Sequence, residues 1–139
     1  MHPILRNLLA LIAGLVVCLM VNGLLIRISG SVIPPPAGVD VNDMKSIAAH
    51  MDEFRPKHLL FPFLAHALGS LIGAFVAAVL AATRKMTWAW VVGSFHLLGG
   101  IMAAVLIPAP IWFIVLDLVV AYLPMAWLGG RFAKRRAMP

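Results

Sequence analysis

"HLLFPFLAHALGSLIGAFVAAVLAAT", residues 58–83, holds no aspartate, glutamate, lysine or arginine and runs unbroken between Lys57 and Arg84. About 20 apolar residues in an α-helix cross the roughly 30 Å of hydrocarbon in a bilayer. A soluble helix of that length keeps a charged face toward water, and this stretch has none. It reads as a transmembrane helix over about 59–82.

Working outward, "NLLALIAGLVVCLMVNGLLI" (7–26) is charge-free between Arg6 and Arg27, and between Lys85 and Arg131 the only charged residue is Asp117. That last interval is long enough for two crossings. "IPAPIW" (107–112) divides it, because proline lacks an N–H and restricts the residue before it. Four spans are expected: about 5–27, 59–82, 87–107 and 110–130. Without water, each backbone amide must bond within its own segment, so the spans are helical. The fold class is all-α, a transmembrane four-helix bundle forming one membrane domain over 1–139.

Composition agrees. Of 139 residues, 63% are apolar and 12% charged, against roughly 45–50% apolar in a soluble domain. Cys18 is the only cysteine, so no internal disulfide forms. The first span is longer than a signal-peptide core, and "LLIRISGS" (24–31) offers no small-x-small cleavage site, so it is expected to be retained.

Orientation follows from the cations. Arg6, Arg84, Lys85, Arg131, Lys134, Arg135 and Arg136 share one side of this topology with no carboxylate. The opposite side mixes Arg27, Lys45, Arg55 and Lys57 with Asp40, Asp43, Asp52 and Glu53. The first side is cytoplasmic by the positive-inside rule, which puts both termini inside. The basic tail 131–139 then faces anionic headgroups; the lipid bilayer, and not nucleic acid, is the expected partner. Trp88, Trp90 and Trp127 fall at the cytoplasmic ends of their spans and Trp112 at the outer end, where an indole buries its ring and still donates its N–H.

The external loop, 28–58, leaves the first span through a stiff proline run, "SGSVIPPPAG" (29–38). Val41, Met44, Ile47, Ala48, Met51 and Phe54 then recur at three- and four-residue steps. That spacing predicts a short amphipathic helix over about 41–54, capped by Asp40 or Asn42 and ended before Pro56, lying on the bundle or in the headgroup plane.

Gly69, Gly73 and Ala77 form a small-residue ridge on the second span, and Gly93 and Gly100 a similar face on the third; such ridges let helix backbones approach closely. His66 and His96 lie on these faces. The strings "HALGSLIGA" (66–74) and "HLLGGIMAA" (96–104) match at several positions, a weak hint of an inverted repeat. At about 1.5 Å per residue, His66, Asp117 and Asn22 come to similar depths in the outer half, with His96 somewhat deeper and Arg27 at the rim.

An unpaired carboxylate in hydrocarbon costs about 3 kcal/mol or more, so Asp117 is expected to pair with His66, His96 or Arg27. Three readings of the cluster His66, His96, Asp117, Asn22 and Arg27 stay open. It conducts or binds a proton, ion or small polar solute, the leading reading. It only locks helix packing in a structural or accessory subunit. Or His66 and His96 ligate haem or a metal, which imidazole suits, although no third ligand is evident and no cofactor or metal is expected. No positioned nucleophile, acidic pair or phosphate-cradling loop points to an enzyme. A single four-helix unit encloses little lumen, so a homo-oligomer or a larger membrane partner is expected.

"IPPPAGVDVNDM" (33–44), "FPFLAHALGSLIGAF" (61–75) and "DLVVAYLPMAWLGG" (117–130) resemble a group of short, uncharacterised bacterial inner-membrane proteins. The resemblance implies a four-span protein of the bacterial inner (plasma) membrane. It carries over no binding or catalytic residue.

Overall fold

The computed structural model describes residues 2–136; residues 137–139 of the basic tail lie outside them. Four helical spans are long and apolar enough to cross a membrane: 3–32, 56–80, 85–106 and 111–135. The all-α four-helix arrangement is the observed fold.

Helix α1 runs Pro3–Val32, with Pro3 in its first turn, where the missing proline N–H would be unpaired anyway. At about 1.5 Å per residue it is roughly 45 Å long, extending one turn past the expected end at 27. Nothing in "ISGSV" (28–32) stops it. The stop is Ile33, held extended (φ −128°, ψ 91°) by the proline that follows.

The loop between the first two spans departs from the expected single helix over 41–54. Helix α2 covers only Met44–Ala49, capped by Asp43, whose side chain accepts from the Lys45 amide. Asp40 instead organises the preceding turn, accepting from the Asn42 amide at 2.9 Å. His50 ends α2 by bonding through Nδ1 to the Ser46 carbonyl at 2.8 Å. A 3-10 turn at Met51–Glu53 follows, and a second at Pro56–Leu59 leads into α3, Leu60–Leu80.

The connection from α3 to α4 (Lys85–Leu106) is tied down by the start of α1. Asn7 Oδ1 accepts from the Ala82 and Thr83 amides, and its Nδ2 donates to Thr83 Oγ1 at 2.9 Å. Arg6 Nε donates to the Leu80 carbonyl, one of the last of α3, at 2.9 Å. The turn passes through Arg84, whose φ of 48° is left-handed.

The fourth span is two helices, α5 (Ile111–Val120) and α6 (Leu123–Arg136), and the expected span over 110–130 is interrupted at Ala121–Tyr122. Pro124 has no N–H for the Val120 carbonyl and would clash with it. Beyond the break α6 continues through the basic segment as far as Arg136.

Helix α3 is the most buried span. Its ridge packs on α1: a Cβ at Gly73 would lie 2.5 Å from Cys18 Cβ, and one at Gly14 would lie 2.6 Å from Ala77 Cβ. Real carbons do not approach so closely, so the two backbones meet where side chains are missing. The core cluster is Cys18, Ala74, Ala77, Ala78, Ala89, Val92, Ala126 and Ala133. Large apolar side chains face outward instead, with Val105 79% and Ile111 80% exposed, the arrangement lipid rewards and water does not.

Candidate functional site

His66 stands two turns into α3, and Asp117 in the last turn of α5. His66 Nδ1 lies 2.9 Å from both oxygens of the Asp117 carboxylate. A carboxylate only accepts, so Nδ1 carries the hydrogen. Tyr122 Oη donates to Asp117 Oδ2 at 2.9 Å. Asp117 is thus held by two donors, the pattern an ionised carboxylate requires when it is only 5% exposed.

Tyr122 is fully buried and organises the layer by its ring as well. It stacks on His66 with centroids 5.3 Å apart, and meets His96 edge-on at 5.2 Å. The two histidine rings lie 5.9 Å apart, nearly perpendicular.

His96 belongs to a different set of bonds. Asn22 Nδ2 lies 3.1 Å from its Nε2, and Ser70 Oγ lies 2.9 Å from its Nδ1. An amide NH2 group only donates, so with this amide orientation Nε2 is the acceptor and Nδ1–H donates to Ser70. Both ring nitrogens are engaged between α1 and α3. His96 has no nitrogen left for a metal, and among the described residues no three histidine, cysteine, aspartate or glutamate side chains converge on a metal-sized site. The haem or metal reading through His66 and His96 does not fit this geometry.

His66 differs from His96 in one respect. Its Nδ1 is bound and its Nε2 makes no hydrogen bond among the described residues. No buried side-chain nitrogen or oxygen there lacks a partner, so Nε2 is not fully enclosed. The side chain is 19% exposed, and it lines a cavity of about 340 Å³ at the loop end of the bundle. Ile26 and Ile33 of α1, Ala104 of α4 and Phe113 of α5 form part of its walls, and Met44 and Met51 of the loop lie over it. His66 and Asp117 are at its inner end, and His58 lies nearer the loop. The amphipathic stripe, expected to lie on the bundle or in the headgroup plane, therefore lies over a hollow in the bundle.

Toward the chain termini the space closes. Ala74, Ala77, Ala78, Val92 and Ala126 are all at 0% exposure.

Of the five residues expected in one polar cluster, the structure brings together His66, Asp117, His96 and Asn22. Arg27 is not among them: it is exposed and lies on the outer surface of α1 beside Gly23 and Leu24. Five residues past Asn22, it is about 140° around the helix. The structure adds Tyr122 and Ser70. Ser70 was signalled by its position four residues from His66 on the same ridge. Tyr122 was hidden, since five residues from Asp117 in an unbroken helix it would point away; Pro124 was the available clue.

Comparison with known protein families, curated proteins and solved structures gives no match.

Proposed function

We propose that this multi-pass membrane protein is a binding protein, which takes a small, largely apolar molecule into the loop-end cavity and meets its polar end with His66. The observation that supports this most directly is the cavity ending on an imidazole whose other nitrogen is already fixed by Asp117. A carboxylate that holds Nδ1–H sets the tautomer and leaves Nε2 as the working atom. The lysine and arginine bias supports an orientation with this end outside and both termini cytoplasmic, and the resemblance of the sequence to bacterial inner-membrane proteins supports a bacterial membrane.

Binding is favoured over conduction by the closed packing of Ala74, Ala77, Ala78, Val92 and Ala126 beneath the cluster, none of which offers a proton or ion a polar step. The lock reading applies to half of the layer: Asn22, His96 and Ser70 satisfy one another between helices and are not among the residues that line the cavity.

The test uses the Met44 and Met51 methyl groups at the roof as reporters. In nanodiscs holding the full chain with 13C-methyl methionine, twelve-carbon amphiphiles are expected to shift both signals saturably, and Ala104→Trp, which fills the cavity, to abolish the shift. Proton flux in proteoliposomes that disappears in Asp117→Asn would overturn the proposal in favour of conduction.

A further inference from the structure

The cavity's lining narrows the chemistry of its occupant. Among the described residues it contains no lysine or arginine, and its one carboxylate, Asp117, is already engaged by His66 and Tyr122. Resting on the binding reading above, we infer that the ligand is an uncharged amphiphile with a single aliphatic tail whose head is a hydroxyl group donating to His66 Nε2.

Each alternative head meets a specific obstacle. A carboxylate or phosphate would sit beside Asp117 with no cation to offset it, and an unpaired charge in a low-dielectric site is costly. An ammonium would need Asp117, whose two oxygens are covered by His66 Nδ1 and Tyr122 Oη and whose exposure is 5%. An ether or ester has no hydrogen to give to an accepting nitrogen. A hydroxyl supplies that hydrogen and brings no charge. In its unprotonated form, a ring with Nδ1–H on the carboxylate leaves Nε2 with one lone pair directed away from Asp117. Around this point the walls are aliphatic and aromatic, Ile114 and Leu118 flanking Asp117 on α5 and Ala103 and Ala104 facing from α4. A tail has apolar surface to cover as far as the roof at Met44 and Met51.

The experiment titrates the full-length protein in nanodiscs with four probes of equal tail length: 1-dodecanol, dodecyl methyl ether, dodecanoate and dodecyltrimethylammonium. Methionine methyl shifts report occupancy, and 15N shifts of the histidine side chains report contact with Nε2. The expected result is that dodecanol binds about tenfold or more tightly than each of the others and alone moves the His66 Nε2 resonance, leaving His96 unmoved. In His66→Phe the preference for dodecanol over its methyl ether is expected to vanish while both still enter. Equal or tighter binding of the carboxylate, the ammonium or the ether overturns the hydroxyl assignment and leaves the cavity reading intact. Failure of all four to shift Met44 or Met51 overturns the cavity reading itself. The wild-type comparison decides both points even if the variant does not fold.

Discussion

The Tyr122 ring occupies the space that a Cβ on Gly100 would need. A glycine on α4 and a tyrosine at the break of the fourth span are thereby fitted to each other, and the hydroxyl of that tyrosine reaches Asp117. The neighbouring Gly99 has nothing within 4 Å of the same hypothetical atom, so two adjacent glycines face opposite environments.

Gly100→Ala is expected to push Tyr122 off Asp117 and to lower stability by about 1–3 kcal/mol, the usual range for overpacking. Gly99→Ala is expected to be neutral or slightly stabilising, since alanine is the better helix former. Denaturant titration in mixed micelles, followed by tryptophan fluorescence, compares the pair.

Asp117→Asn keeps the shape of the side chain and replaces one accepting oxygen with a donor. His66 Nδ1, equally close to both positions, then faces an NH2 group, and in one of the two amide orientations Tyr122 Oη does too. His66 is expected to lose its fixed Nδ1–H tautomer, which 15N histidine spectra detect directly, and stability is expected to fall by about 1–3 kcal/mol. A wild-type tautomer pattern in the variant would mean that something other than Asp117 orients the ring.

Ser70→Ala removes the acceptor of His96 Nδ1–H. Interhelical hydrogen bonds in bilayers contribute about 0.6–1.7 kcal/mol, and a loss in that range is expected with no change in the His66 resonances or in ligand binding. Asn22→Ala is expected to behave the same way. Any effect of either substitution on the cavity would mean that the ring contacts of Tyr122 with both histidines couple two halves of the layer whose hydrogen bonds are separate.

Asn7→Leu deletes three hydrogen bonds to Ala82 and Thr83 in the turn that connects α3 and α4. Amide hydrogen exchange at Ala82 and Thr83 is expected to accelerate by about tenfold or more, corresponding to a local loss of about 1.4 kcal/mol, while exchange near His66 is unchanged.

The four spans were legible because their signal is an absence of charge sustained over 20 residues, which needs no tertiary information. So was the convergence of Asn22, His66, His96 and Asp117, since depth along a helix follows from counting. Rotation about the axis was harder. Arg27 turns away because α1 continues past it unbroken, and Tyr122 turns in because α5 stops before it. Both lie five residues from a cluster member, and only helix continuity distinguishes them. The cavity was not legible at all: it depends on how a six-residue helix and two 3-10 turns settle over the bundle, which depends on local capping by Asp43 and His50.

Six of the eight residues in the central core cluster are alanine, and this makes mutational tolerance one-sided. Truncation has almost nothing to remove there, so conventional alanine scanning passes over the tightest part of the molecule in silence. Enlargement is where the fragility lies: a single added methylene at Ala77 or Ala126 must separate two backbones. A survey by serine, valine and leucine substitution would map what an alanine survey leaves blank, and would trace the contact of α3 with α1 and α6 as a continuous line of intolerance.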